Sequence, residues 1–218
     1  MNDLTPLRSA PVSRRSILAG LAGFAAAGMT GLPALAQGAS GAASGAAAQK
    51  IADHFSSVKT MMGEFVQFGP RGEQTGGKFF IERPGKLRFN FEDPSPIRVI
   101  ADGNNVVIGN LKLKTWDLYP LSKTPLRFLL ADQIDLTSEA NVTTVSLEPD
   151  LVRVVLEQST VFGDGKLTMI FDRKSNELRQ WTVTDAQGYD TTVALYNITP
   201  NQPTDEKLFF IDRTRILK

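Results

Sequence analysis

Few residues in this sequence are of a type and spacing that could carry out chemistry. His54 is the single histidine, and cysteine is absent. Without thiols there is no disulfide, no cysteine-bound zinc and no thiolate nucleophile. Any metal site would rest on carboxylates, and no Asp/Asn-rich calcium loop is present. A Ser/His/Asp triad would have to be built on His54, and no Gly-x-Ser-x-Gly elbow presents a serine. His54 sits beside Phe55 and reads as a solvated or capped helix residue. Gly76-Gly77-Lys78 superficially suggests a phosphate cradle, but the spacing is not that of a P-loop and no helical pattern follows. It reads as a turn or bulge feeding a strand. Asn141-Val142-Thr143 and Asn197-Ile198-Thr199 match the glycosylation pattern, a three-residue match that carries little weight by itself. Acidic residues are scattered over solvent-facing strand positions, with no pair singled out for acid–base work. Nothing here supports an enzyme, and no cofactor or metal is expected.

With chemistry so thin, composition and pattern carry the reading. A chain of 218 residues with 42% hydrophobic side chains is long enough and apolar enough to bury one core. The formal net charge of +1 supplies no field for nucleic acid. Its distribution is more informative. Arg8, Arg14 and Arg15 face only Asp3 within residues 1–36. An apolar run from Ile17 to Met29 follows the arginines, and Pro33 precedes Ala34-Leu35-Ala36, a small-x-small cleavage pattern. Residues 1–36 therefore read as a signal peptide cut between Ala36 and Gln37. The run is shorter than the roughly 20 residues a membrane span needs. Ser13-Arg14-Arg15-Ser16-Ile17-Leu18 before a weakly hydrophobic Gly/Ala run favours the twin-arginine route over a general secretory signal. The expected destination is the periplasm, and no cysteine is available for a lipid anchor.

Residues 37–48 are Gly/Ala/Ser-rich and read as a flexible lead-in. The folded domain is expected over 49–218. Ile51, Phe55 and Val58 share one helical stripe, predicting a short amphipathic helix over Lys50–Val58. Strands dominate after it. Lys86–Glu92 alternates, with Leu87, Phe89 and Phe91 on one face. The same period appears over Lys112–Leu118 and Leu167–Phe171. Turn residues at Pro84-Gly85, Asp102–Asn105, Gly109-Asn110, Pro149-Asp150, Gly163–Gly165 and Gln187-Gly188 separate the runs. Strands so spaced argue for an antiparallel meander, sandwich or barrel. One interruption, Thr124-Pro125-Leu126, reads as an N-cap and first-turn proline opening a helix with Leu126, Leu129 and Leu130 on one face. By pattern alone, two short helices against a curved sheet either plug an ordinary core or cover a lipid-sized cavity.

The segment Gly76–Phe89 (GGKFFIERPGKLRF) resembles the signature of the outer-membrane lipoprotein carrier family, LolA. Phe65-Val66-Gln67, Val99-Ile100-Ala101-Asp102-Gly103 and Thr124-Pro125-Leu126 stand in matching order, so the resemblance spans roughly residues 49–211. It implies a mainly β (α+β) fold: an unclosed antiparallel β-barrel with a lid of short α-helices over a hydrophobic cavity. It implies that Phe80, Leu87, Phe89 and Phe91 line an acyl-chain cavity and that Leu126, Leu129 and Leu130 belong to the lid. The family's switch arginine, which bonds lid carbonyls and holds the empty form shut, corresponds to Arg83. Leu87 departs from the aromatic common among relatives, and the stretch after the last shared strand is short.

The implied function is that of a monomeric periplasmic chaperone carrying acylated lipoproteins. An ATP-driven inner-membrane transporter would release the cargo and an outer-membrane lipoprotein receptor would accept it, without catalysis by the carrier. A carrier of another lipid, such as a glycolipid or polyisoprenoid, would share the fold. A hydrolase working through an unrecognised carboxylate pair is the reading from a different class.

Overall fold

The computed structural model describes residues 36–216, apart from 135, 137–141, 161 and 162. The export segment lies outside the described residues except for Ala36, as does Asn141. Helix α1 runs from Ala36 to Ser57. The stretch 37–48, read from sequence as a flexible lead-in, is thus helical. Alanine is the strongest helix former, and extending an existing helix costs far less than nucleating one. The predicted stripe is present: Ile51, Phe55 and Val58 are buried, joined by Ala48 and Ala52.

Eleven strands form one antiparallel sheet in the order β6-β5-β4-β3-β2-β1-β11-β10-β9-β8-β7. The first meander comprises β1 (Thr60–Phe68), β2 (Gln74–Glu82), β3 (Lys86–Phe91), β4 (Ile97–Asp102), β5 (Asn105–Asn110) and β6 (Thr115–Pro120). The second comprises β7 (Val142–Leu147), β8 (Leu151–Thr160), β9 (Gly163–Asp172), β10 (Leu178–Thr184) and β11 (Asp190–Pro200). Pairing of β1 with β11 joins the meanders, and β6 and β7 form the two edges without pairing with each other, so the barrel is unclosed. The connection between these edges carries a 3-10 turn, Leu121–Lys123, and helix α2, Leu126–Leu129.

Period-2 alternation divides every strand between two faces. Met61 and Phe65 of β1, Phe79 and Ile81 of β2, and Leu87 and Phe89 of β3 are buried on the inner face. The second meander contributes Val152, Val154, Leu156, Leu167, Met169, Phe171, Trp181, Val193 and Leu195 to the same core. Side chains of α1 and α2 belong to that core as well. The concave side of the sheet is therefore filled by helices rather than by a second sheet.

Two sequence readings shift locally. Gly76-Gly77 is neither turn nor bulge but lies within β2, paired in register with Val66-Phe65 of β1. A Cβ on Gly77 would run into the Asn90 backbone carbonyl of β3, so glycine here permits a close strand approach. The strand expected over Lys112–Leu118 starts only at Thr115. The side-chain oxygen of Asn110 accepts from the amides of Lys112 and Leu113, closing an Asx turn, and Lys114 takes a positive φ of 57°. Leu113 consequently sits exposed at a hairpin tip.

Candidate functional site

Arg83 follows the last residue of β2, Glu82, at the start of the turn Arg83-Pro84-Gly85. It is 6% exposed, and only Thr124 joins it among the buried polar residues described. Nη1 donates to the Val58 carbonyl at 2.6 Å and Nε to the Leu129 carbonyl at 3.2 Å. The guanidinium carbon stands 3.8 Å from the centroid of the Phe55 ring. Both acceptors lie at helix ends, Val58 just beyond α1 and Leu129 closing α2. Terminal carbonyls there have no intrahelical partner and carry the negative end of the peptide dipoles. One planar, multi-donor cation thus ties two helices to the end of a strand.

Burial pushes the Arg83 pKa down to about 10, leaving it cationic at neutral pH. No carboxylate pairs with it among the described residues. The compensation is carbonyl dipoles and an aromatic face, which can be separated from the guanidinium without abandoning a buried counter-charge. The backbone adds two ties. Arg83 N–H donates to Lys59 O at 2.7 Å, and Gly85 N–H donates to Leu130 O at 2.8 Å. Gly85 has φ +80°, and a Cβ there would lie 2.7 Å from Gly103 Cα, so this second tie depends on glycine. Lys59 and Asp132 form a 2.7 Å ion pair on the exposed rim.

Beneath these contacts lies the apolar interior. Phe65 packs on Phe89 and Phe91 with ring centroids 4.6 and 4.9 Å away, Phe79 stands 6.3 Å from Phe89, and Trp181 stacks on Phe89 at 6.0 Å. A residual cavity of about 20 Å³ lies beside Arg83, among Phe55, Val58, Met61, Phe171 and Leu178. That volume holds roughly one water.

Of the predicted interior residues, Leu87 and Phe89 are buried and Phe91 packs partly buried against the core. Phe80 is the exception. In β2 it alternates with buried Phe79 and Ile81, and it pairs with Arg88 on the outer face. Phe79, paired with Phe89, takes the inner position. A one-residue shift exchanges the faces of a strand, and the adjacent pair Phe79-Phe80 hides the phase unless it is read against Ile81. At α2, Leu129 and the following Leu130 are buried and Leu126 packs against the core, joined by Phe128, for which the sequence pattern gave no separate signal. Thr124 does not cap α2: Pro125 occupies the cap position, and the Thr124 hydroxyl donates back to the Leu121 carbonyl. Trp181 and Phe65 also went unnamed as interior residues, although each is an aromatic amid strand alternation. His54 lines the rim of the small cavity. No cluster of acidic and histidine side chains among the described residues could hold a metal ion.

Comparison with known proteins adds independent findings. The family model described as outer membrane lipoprotein carrier protein LolA matches residues 56–212. The outer-membrane lipoprotein carrier protein of Pseudomonas aeruginosa PAO1 is 26% identical over 179 residues, covering 77% of this chain and 84% of that relative. The protein of the same name from Halorhodospira halophila is 26% identical over 171 residues, covering 74% and 79%. Among solved structures, a LolA superfamily protein from Nitrosomonas europaea aligns with a TM-score of 0.41 at 10% identity, over 75% of this chain and 97% of that one.

Proposed function

The chain belongs to the LolA family of outer-membrane lipoprotein carriers, and from that premise we propose that it is a periplasmic chaperone for acylated lipoproteins, with Arg83 as the latch of its lid. The observation that carries the reading is a buried guanidinium joining the ends of α1 and α2 over an apolar interior. Apart from Arg83 and Thr124, the buried side chains described are apolar, and what the interior offers is apolar area on the inner face of an unclosed sheet. Phe79, Leu87, Phe89 and Phe91 would contact the acyl chains, and Leu126, Leu129 and Leu130 would move with the lid.

Magnitudes support a latch that cargo can open. A hydrogen bond to a charged donor contributes about 1.5–3 kcal/mol. Two of them and an aromatic contact therefore hold the lid by several kcal/mol at most. Each acyl CH₂ transferred from water returns about 0.8 kcal/mol, so on the order of ten CH₂ groups exceed the latch. Opening is then a two-state equilibrium pulled by ligand. Cargo would arrive from an ATP-driven transporter of the inner membrane and leave to a receptor at the outer membrane. The carrier works as a monomer after export and removal of residues 1–36.

The test is release from spheroplasts. Inner-membrane spheroplasts holding newly made lipoproteins are incubated with the purified protein, and the supernatant is blotted. Soluble complexes of this chain with outer-membrane lipoproteins are expected. If the supernatant stays empty while an established carrier releases cargo from the same spheroplasts, the lipoprotein reading fails.

A further inference from the structure

A second pocket lies on the opposite, convex face of the sheet. The outward positions of four neighbouring strands build it: Arg88 of β3, Arg98 and Ile100 of β4, Val107 of β5 and Trp116 of β6. The C-terminal segment closes one side with Lys207, Phe210, Ile211 and Asp212, leaving a cavity of about 210 Å³. Ile100, Val107 and Ile211 form a small core of their own, with Trp116 packed against it. Register places Gly109 opposite Trp116, and a Cβ on Gly109 would stand 2.5 Å from the indole. Glycine there lets the ring lie flat over β5 and form a wall.

The polar groups of this pocket are unbalanced. Nε of Arg88 donates to the Asn90 side chain at 2.8 Å and Nη1 to the Leu208 carbonyl at 2.8 Å, which fixes its plane. Nε of Arg98 is buried with no hydrogen-bond partner. Among the described residues neither guanidinium has an ion-pair partner, although the two are close enough to repel each other. Asp212 is the one acidic side chain in the lining, and its carboxylate accepts from the amide and hydroxyl of Thr214. Two adjacent guanidiniums against an apolar wall are arranged as an oxyanion receptor: a planar fork is suited to several oxygens of one anion. Lys207 adds a third cation at the rim, favouring a phosphate over a singly charged carboxylate.

We infer that the convex-face pocket formed by Arg88, Arg98, Trp116, Lys207 and Ile211 binds the phosphate group of a small organic ester, with the ester's carbon part against the indole. The phosphate could come from a soluble phosphate ester or from a glycerophospholipid headgroup at a membrane surface. The site is on the opposite face of the sheet from the lid and does not rest on the carrier reading.

The experiment titrates the full chain with glycerol 3-phosphate and with inorganic phosphate, following tryptophan fluorescence, and separately sediments the protein with phosphatidylglycerol or phosphatidylcholine vesicles. A saturable response that disappears in Trp116→Phe, which retains Trp181, is expected. Arg98→Gln should weaken binding by roughly tenfold or more, the equivalent of one charge-assisted contact. Arg88→Gln serves as an independent second variant, and uptake of a fluorescent acyl probe should be unchanged in both. Co-sedimentation with phosphatidylglycerol vesicles, competed by glycerol 3-phosphate, would identify the headgroup source. Binding of glycerol 3-phosphate without vesicle binding would identify a soluble ester. Absence of a saturable response to any of these probes, or wild-type affinity in folded Arg98→Gln and Arg88→Gln, overturns the inference.

Discussion

Replacing Arg83 by leucine removes the latch and leaves a shorter, apolar side chain. Lost are the bonds to Val58 O and Leu129 O and the stacking on Phe55. At about 1.5–3 kcal/mol for each charge-assisted bond and about 1–2 kcal/mol for a desolvated cation–π contact, the gross loss is about 4–8 kcal/mol. Against it stands the recovered desolvation of a guanidinium whose pKa burial has pushed down to about 10, a penalty on the order of 3 kcal/mol at 1.36 kcal/mol per pH unit. The net weakening of closure is about 1–5 kcal/mol, so the open fraction should rise by about one to four orders of magnitude. Hydrogen exchange reads this directly. The Leu130 amide, bonded to Leu126 O, and the Val58 amide, bonded to His54 O, should lose protection by that factor. Amides paired between β8 and β9 should keep theirs. In the spheroplast assay the variant should load cargo but fail to deliver it, because nothing drives the lid shut behind a departing chain. Unchanged protection at Leu130 and Val58 in a folded Arg83→Leu protein would refute the latch, as would delivery at the wild-type rate.

Other consequences are open to simpler measurement. Phe79→Ala should lower unfolding free energy by about 3–5 kcal/mol, as for a fully buried aromatic. Phe80→Ala should lower it by about 1 kcal/mol or less; equal losses in urea denaturation would contradict the register of β2. Gly77→Ala forces a methyl group onto the Asn90 carbonyl and should destabilise by about 1–3 kcal/mol, read as a lower denaturation midpoint. The Glu82 carboxylate, bonded to Lys86 and Thr204, is held below its ordinary pKa chiefly by the Lys86 bond. Because the folded value is depressed, its stabilisation is complete above pH 4.5 and fades as pH falls through the lower folded value. Limited proteolysis should therefore find residues 201–209 more susceptible in acid, and Glu82→Gln should be susceptible already at neutral pH.

The fold class was legible because its signals are local. Period-2 alternation, as in Leu87-Arg88-Phe89, survives without knowledge of any partner, and so does the stripe Ile51, Phe55 and Val58. Turn chemistry at Asp102-Gly103 marked a chain reversal that the structure makes. Where competing local signals were close in strength, the reading slipped. Alanines carried α1 back through a stretch whose glycines suggested flexibility. Gly76-Gly77 looked like a break because glycine's usual role is conformational, whereas here its missing side chain admits a neighbouring strand.

By itself, the sequence pointed to an antiparallel sheet preceded by one short helix and interrupted by another, and it drew attention to Arg83 through the motif around it. Only the tertiary structure decided what Arg83 touches. Val58 and Leu129 lie 25 and 46 residues away along the chain, and backbone carbonyls leave no trace in residue identity. Tertiary structure likewise chose Phe79 over Phe80 for the interior, since a strand's phase is settled by which face its partners bury. It also brought Arg88 and Arg98 together on the outer face with Lys207 and Trp116. Their proximity is a product of strand register and of a C-terminal segment folding back across it, and long-range register is the one thing a local pattern does not encode.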